Sequence, residues 1–389
     1  MTRSTALLRI SSLLALLLAV PAWGADRTVT IGDGGSSCSP CDYSSLDGAL
    51  DGEVASDADL TDEGDGYFVC YEMVDTAPVL VSGWTTDTTH RVILQGAASD
   101  RTDANDHLYS AERWRLECDA TAGSVVCIDI QNSHVQVQNL QVVNDVGDGY
   151  VGTGIKMGDN STIWNIQAFG NIIYHIDNTS SSGGGTGIWL SIDRNPSYGY
   201  IYNNIIYDTS FRGTNGQNIY IDGDYNGGDF RIWNNTLVNP GNANINENDS
   251  TGGSGGSIYN NIFQDNGASG SLFQQGANDS TIGYNICGDA LCDQGNGGQD
   301  NVTMVFENKA GKNFKLDSTE DTEAIDAGID VSALLTTDIE GETRDATDDV
   351  GADEYIAAAE GGDRRIILIT WDTGWDKGKQ TWDNTGAAP

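Results

Sequence analysis

Between residues 131 and 290 one short phrase recurs: an apolar strand that ends in Asn and resumes at once with another apolar residue. The copies read Val137-Gln138-Asn139-Leu140, Ile163-Trp164-Asn165-Ile166, Ile201-Tyr202-Asn203-Asn204-Ile205, Ile232-Trp233-Asn234-Asn235-Thr236 and Ile258-Tyr259-Asn260-Asn261-Ile262. Ile282-Gly283-Tyr284-Asn285-Ile286 is a weaker sixth. Counted on the first Asn, the steps are 26, 38, 31 and 26 residues, then 25 to Asn285. Steps of this size suit one turn of a three-strand coil, with loops inserted where the step is longer. A single coil cannot bury its own apolar face, so coils must stack, with like residues about 4.8 Å apart. The expectation is an all-β fold, a parallel β-helix solenoid, with Val, Ile and Leu laddered inside. Asn at a shared bend tolerates the left-handed backbone, and stacked amides bond along the axis. Gly154–Met157, Gly187–Leu190 and Asn218–Ile221 supply a second strand per coil. An antiparallel sandwich would not need the same phrase at a fixed corner. Helical spacing is nearly absent, except that Leu46, Ala49 and Leu50 share one face of a short N-terminal capping helix.

The remaining organisation follows from composition. Arg3 and Arg9, the apolar run Leu13–Val20 and Ala22-Trp23-Gly24 read as a signal peptide over residues 1–24. The run is short for about 30 Å of hydrocarbon, so an exported, soluble chain without membrane insertion is expected. Residues 25–130 read as N-terminal cap and first coils, with strands at Arg27–Ile31, Tyr67–Tyr71 and Arg91–Leu94. Residues 131–290 are the repeats, 291–355 close the structure, and 356–389 form a tail. Without the signal, 17 basic face 57 acidic side chains, which excludes nucleic acid and anionic membranes as partners. The same charge repels bare polyuronic acids unless divalent cations intervene. Seven cysteines in an exported chain favour disulfides, with Cys118–Cys127 and Cys287–Cys292 near enough to pair. Cys38-Ser39-Pro40-Cys41 reads as a structural staple, and one cysteine is left over.

These coils resemble right-handed parallel β-helix proteins of the pectin-lyase-like superfamily. The end of the chain sharpens the resemblance. Ala324-Ile325-Asp326-Ala327-Gly328, Thr337–Arg344 and Asp349-Val350-Gly351-Ala352-Asp353-Glu354-Tyr355 are similar to the closing segment of choice-of-anchor bacterial surface β-helix proteins. The resemblance implies a secreted or cell-surface protein and an Arg344–Glu354 ion pair capping the last coil. It does not choose an activity, because the fold hosts lyases, hydrolases, epimerases and adhesins. The galacturonase-like hydrolase motifs of the superfamily are absent from this sequence.

Candidate chemistry falls into three groups. A calcium-assisted polysaccharide lyase would use a basic residue as proton acceptor, and Lys156, Arg194 and Arg212 are the candidates. Each could instead neutralise a neighbouring Asp. Asp222-Gly223-Asp224-Tyr225-Asn226-Gly227-Gly228-Asp229 matches the first half of an oxygen-rich calcium loop, with Asp222, Asp224, Asn226 and Asp229 as ligands. It reads equally as an Asp/Asn/Gly turn. By period-two alternation, Trp164, Tyr202, Trp233 and Tyr259 form one outward row suited to stacking on sugar rings, or to mutual packing under a loop. The favoured expectation is a non-enzymatic protein binding glycans or cations along the coil face. A calcium-assisted polysaccharide lyase is the alternative. Lys156, Arg194 or Arg212 within reach of two or more carboxylates in a groove along the coil would favour the lyase; a flat face with an aromatic row would favour binding.

Overall fold

Sharp bends between short strands set the architecture. In the computed structural model of the protein, three sheets of nine, eight and seven strands run the length of the solenoid. Described residues are 26–356 without 33–40, 62, 72, 98–109, 111–112, 119–123, 145–150, 159–163, 177–184, 192–197, 210–215, 223–228, 249–254, 268, 276–279, 290–295, 332–334 and 345–346. Residues up to Tyr355 form one unit, and 356–389 form a second, of which Ile356 alone is described.

One coil shows the plan. Tyr198–Tyr202 lies in the nine-stranded sheet, Ile205–Tyr207 in the eight-stranded sheet and Gln217–Asp222 in the seven-stranded sheet. Asp229–Trp233 then opens the next coil beside Tyr198–Tyr202. Every pairing between these strands and their neighbours is parallel. The protein is therefore a right-handed parallel β-helix. Inward side chains stack in file, as in Val137, Ala168, Ile201, Ile232, Ile258 and Ile282. All six are buried, and each large one contributes about 1.5–3 kcal/mol of transfer free energy.

The ladder of amides is real, but it runs one residue after the Asn counted above at positions 139, 203, 234 and 260, coincides with it at Asn285 and bypasses Asn165. At the bend from the nine-stranded to the eight-stranded sheet, left-handed corners fall at Asn139, Gly170, Asn203, Asn234, Asn260 and Tyr284, with φ between 51° and 65°. The residue after each corner points inward: Leu140, Asn171, Asn204, Asn235, Asn261 and Asn285. Each inward Oδ1 accepts the backbone N–H of the equivalent residue one coil earlier, at 2.9–3.1 Å. Each Nδ2 from Asn171 to Asn261 donates to the next Oδ1, at 2.9–3.0 Å. The steps on this ladder are 31, 33, 31, 26 and 24 residues. Asn165 does not belong to it. It precedes strand Ile166–Phe169 and lies beside His134, while that coil bends at Gly170-Asn171. Gly takes the left-handed backbone without strain, and a Cβ there would collide with Asn139 Oδ1, so Gly-Asn replaces Asn-Asn.

The ends are closed differently. Helix Leu46–Ser56 is capped by Ser45, whose Oγ accepts from the Gly48 N–H at 3.2 Å. Its buried face, Leu46, Ala49 and Leu50, joins the core beneath the first coils. Cys118–Cys127 is a disulfide. Cys41 and Cys287 are also disulfide-bonded, with partners outside the described residues, and Cys70 is buried. Arg344 and Glu354 do pair, at 2.9 Å and fully buried, but they do not cap the last coil. The closing segment lies along the side as a strap. Phe306, Phe314, Leu316, Ile339 and Val350 cover the outer face of the eight-stranded sheet at Ile172, Ile205, Val238 and Ile262. The corner asparagines hold it: Asn203 Nδ2 donates to Thr337 O, Asn234 Nδ2 to Asp349 O and Asn260 Nδ2 to Ile329 O.

Asn235→Ala strips the acceptor from the Asn204 N–H in a buried environment, where an unsatisfied group costs about 1–3 kcal/mol. The lost Nδ2 bonds add to that, so the urea midpoint should fall by the equivalent of about 3 kcal/mol at constant slope. An unchanged midpoint would contradict the ladder.

Candidate functional site

Outward side chains of the nine-stranded sheet form two adjacent files. One holds Gln136, Gln167, Tyr200, Arg231 and Ser257. The other holds Gln138, Phe169, Tyr202, Trp233 and Tyr259. Three of the four aromatic residues singled out from sequence therefore do share a file. Trp164 does not. It sits in the connection before strand Ile166–Phe169, 43% exposed, with its carbonyl accepting from the His134 N–H at 2.7 Å. The displaced ladder is the reason, since aligning Asn165 with Asn203 put Trp164 where Phe169 belongs. Phe169 stacks on Tyr202 with ring centroids 4.7 Å apart.

The aromatic file is partly roofed. Val331 and Leu335 of the strap pack on Trp233, flanked by Tyr202, Tyr259 and Ile329. Trp233 is 9% exposed, and its Nε1 donates to Ser257 Oγ at 2.9 Å. Burial pushes the Tyr202 phenol well above its ordinary value. Its hydroxyl donates to Gln167 Oε1 at 3.1 Å, while Gln167 Nε2 donates to Asn165 Oδ1 at 2.9 Å.

Beside this roof lies a groove of about 220 Å³, lined by Arg91, Asn165, Gln167, Tyr200, Tyr202, Arg231, Trp233 and Leu335. The Arg231 guanidinium lies 5.4 Å from the Tyr200 ring centre and 5.1 Å from that of Trp233. Burial raises the Tyr200 phenol, with Arg231 opposing it, and raises the Asp229 carboxyl, again opposed by Arg231. A second cavity of about 260 Å³ lies beyond Tyr202, under the strap, between Phe169, Asn203 and Thr336–Ile339. Arg91, Asn165, Gln167 and Tyr200 were missed from sequence. For Gln167 and Tyr200 the signal was the same alternation read two residues earlier in the strand; Arg91 and Asn165 lie four residues before the aromatic file, just ahead of their strands.

The other candidates are dispersed. Lys156 lies on the outer face of the seven-stranded sheet, with Nζ 3.9 Å from Asp129 Oδ1 and 5.6 Å from the Trp189 ring centre. It has one carboxylate in reach among the described residues. Arg194 and Arg212 lie outside the described residues, as do Asp224 and Asn226. Asp222 ends its strand in the seven-stranded sheet opposite Ser191 and Asn248. Asp229 begins the next strand, opposite Tyr198 and Gly255.

A different acidic group appears in the strap. Asp338, Glu340 and Asp353 bring carboxylate oxygens within 4.8 Å of one another, a donor set that could hold a metal ion. Lys315 already supplies a cation there, with Nζ 2.5 Å from Glu340. Burial dominates the carboxyls: Asp338 is pushed up to about 7 and Asp353 to about 8. Asp349, nearby in the strap, is pushed up to about 7 for the same reason. The closing motif had drawn notice to Arg344 and Glu354, and these acids stand in the same stretch.

No family model and no curated protein matches the chain. Among solved structures, the crystal structure of pectate lyase Pel9A aligns over 85% of this chain and 96% of its own, with a TM-score of 0.38 and 10% identity. No residue role follows from so distant a likeness. No helix among the described residues is long and apolar enough to cross a membrane.

The strap carboxyls carry a pH signature. Their ordinary value is 3.8 and their folded values are about 7 to 8, so the fold favours the protonated form. That stabilisation is complete below about pH 4 and is lost as pH rises through 7 and 8. Urea unfolding followed by tryptophan fluorescence should show a lower midpoint at pH 8.5 than at pH 5.5, and Asp353→Asn should flatten the difference. A midpoint that rises with pH would contradict this.

Proposed function

We propose that the protein is a secreted or cell-surface β-helix that binds a glycan on the outer face of its nine-stranded sheet. The observation that carries this reading is the groove itself, where the Tyr200 and Tyr202 rings adjoin the amides of Gln167 and Asn165. Aromatic faces suit the C–H faces of sugar rings, and neighbouring amides suit their hydroxyls. These groups stand on strands, so little ordering entropy is lost on binding. The reading of residues 1–24 as a signal peptide supports export. Of the three lyase candidates, Lys156 pairs with one carboxylate and packs on Trp189, which does not favour a lyase, while Arg194 and Arg212 lie outside the described residues.

Titration calorimetry against a panel of oligosaccharides should find a ligand whose affinity drops about tenfold, or about 1.4 kcal/mol, in Tyr200→Ala. Binding should proceed without ultraviolet-absorbing unsaturated products. If such products form and vanish in Lys156→Ala, the protein is a lyase instead. Calcium at Asp222, Asp224, Asn226 and Asp229 is a separate proposal resting on the loop pattern alone. Adding calcium to chelator-treated protein should raise the melting temperature, and less so in Asp224→Asn; no shift would sink it.

A further inference from the structure

We infer that the groove selects saccharides bearing an anionic group, carboxylate or sulfate, seated between Arg91 and Arg231. This rests on the glycan reading and narrows its substrate class.

The inference comes from where the chain leaves its scarce cations. The protein carries a net charge of −38, with 19 basic residues among 57 acidic ones. On such a surface a lysine or arginine is expected to find a carboxylate, and among the described residues most do. Arg27 pairs with Glu53, Arg115 with Glu117, Lys156 with Asp129 and Lys309 with Asp265. Lys312 and Lys315 pair in the strap, as does Arg344. Arg91 and Arg231 stand outside this pattern: among the described residues no carboxylate lies within 4.0 Å of either guanidinium, although the Arg91 backbone N–H donates to Asp65 Oδ1 at 2.7 Å, and both side chains line the one groove. Asp229 shares a strand and a face with Arg231, yet closes no ion pair with it. The recorded bond of the Arg91 guanidinium is a long one, 3.5 Å to the Thr88 carbonyl.

The chemistry of the pair fits an oxyanion. Arg231 is held against Tyr200 and Trp233, so its planar fork is already oriented. A guanidinium presents parallel donors to carboxylate or sulfate oxygens and is only weakly hydrated, so desolvating it costs less than desolvating an ammonium. A neutral sugar would satisfy neither charge. The rest of the chain repels an approaching anion, and salt screens that repulsion beyond a Debye length of about 10 Å at 0.1 M, whereas contacts within the half-buried groove are screened much less. Salt should therefore speed association, the reverse of its effect on a basic binding protein.

Three oligosaccharides of equal length provide the test: neutral, uronate-bearing and sulfated, each titrated into the full chain. The expected result is at least tenfold preference for one anionic ligand over the neutral one, and which one binds distinguishes carboxylate from sulfate. Association should be faster at 0.3 M than at 0.01 M salt. Arg231→Gln should reduce the preference at least tenfold, and Arg91→Gln should reduce it independently. Equal binding of neutral and anionic ligands, unchanged by either variant, would overturn the anion assignment and leave the glycan reading standing. No binding of any saccharide would overturn both.

Discussion

A chain that turns sharply between two parallel strands exposes a backbone N–H to the core at every turn, and the next coil must satisfy it. Here the inward asparagine does so. The Asn171, Asn204, Asn235 and Asn261 N–H groups each meet the Oδ1 of the following coil. These side chains are fully buried, so the bonds form where water cannot compete and where breaking one is costly. The ladder sets coil register, and register sets every file of side chains outside.

The outward asparagine has a second task. Having taken the left-handed corner, Asn203, Asn234 and Asn260 aim their amides at the returning strap. Arg344 completes the attachment by bonding Glu354, Asn203 and two strap carbonyls from a buried position. The doubled Asn-Asn thus links stacking along the axis to closure across it. The strap then roofs Trp233 and leaves Tyr200 in the groove beside it. Fold and candidate site share one cause.

Much of this was legible from the chain. Apolar periodicity and a recurring corner gave the solenoid, the parallel sheets and the capping helix, because stacking forces like residues into file. The Cys118–Cys127 bridge and the Arg344–Glu354 pair were legible too. Two features were not. Gly170 replaces Asn at one corner because glycine reaches the same φ, which shifted the counted repeat and misplaced Trp164. The roof over Trp233 comes from residues about a hundred positions later, and no local pattern announces a contact of that range. The strap acids escaped notice for the same reason, since Asp338 and Asp353 meet only after the segment folds back.

Hydrogen exchange tests the ladder most directly. In Asn261→Ala the Asn235 N–H loses its acceptor, whereas the Asn171 N–H, bonded two coils away to Asn204, keeps its own. The account predicts that exchange at Asn235 accelerates at least a hundredfold while Asn171 remains protected. Equal protection of both amides in the variant and the parent would mean that the inward asparagines do not hold the coils in register.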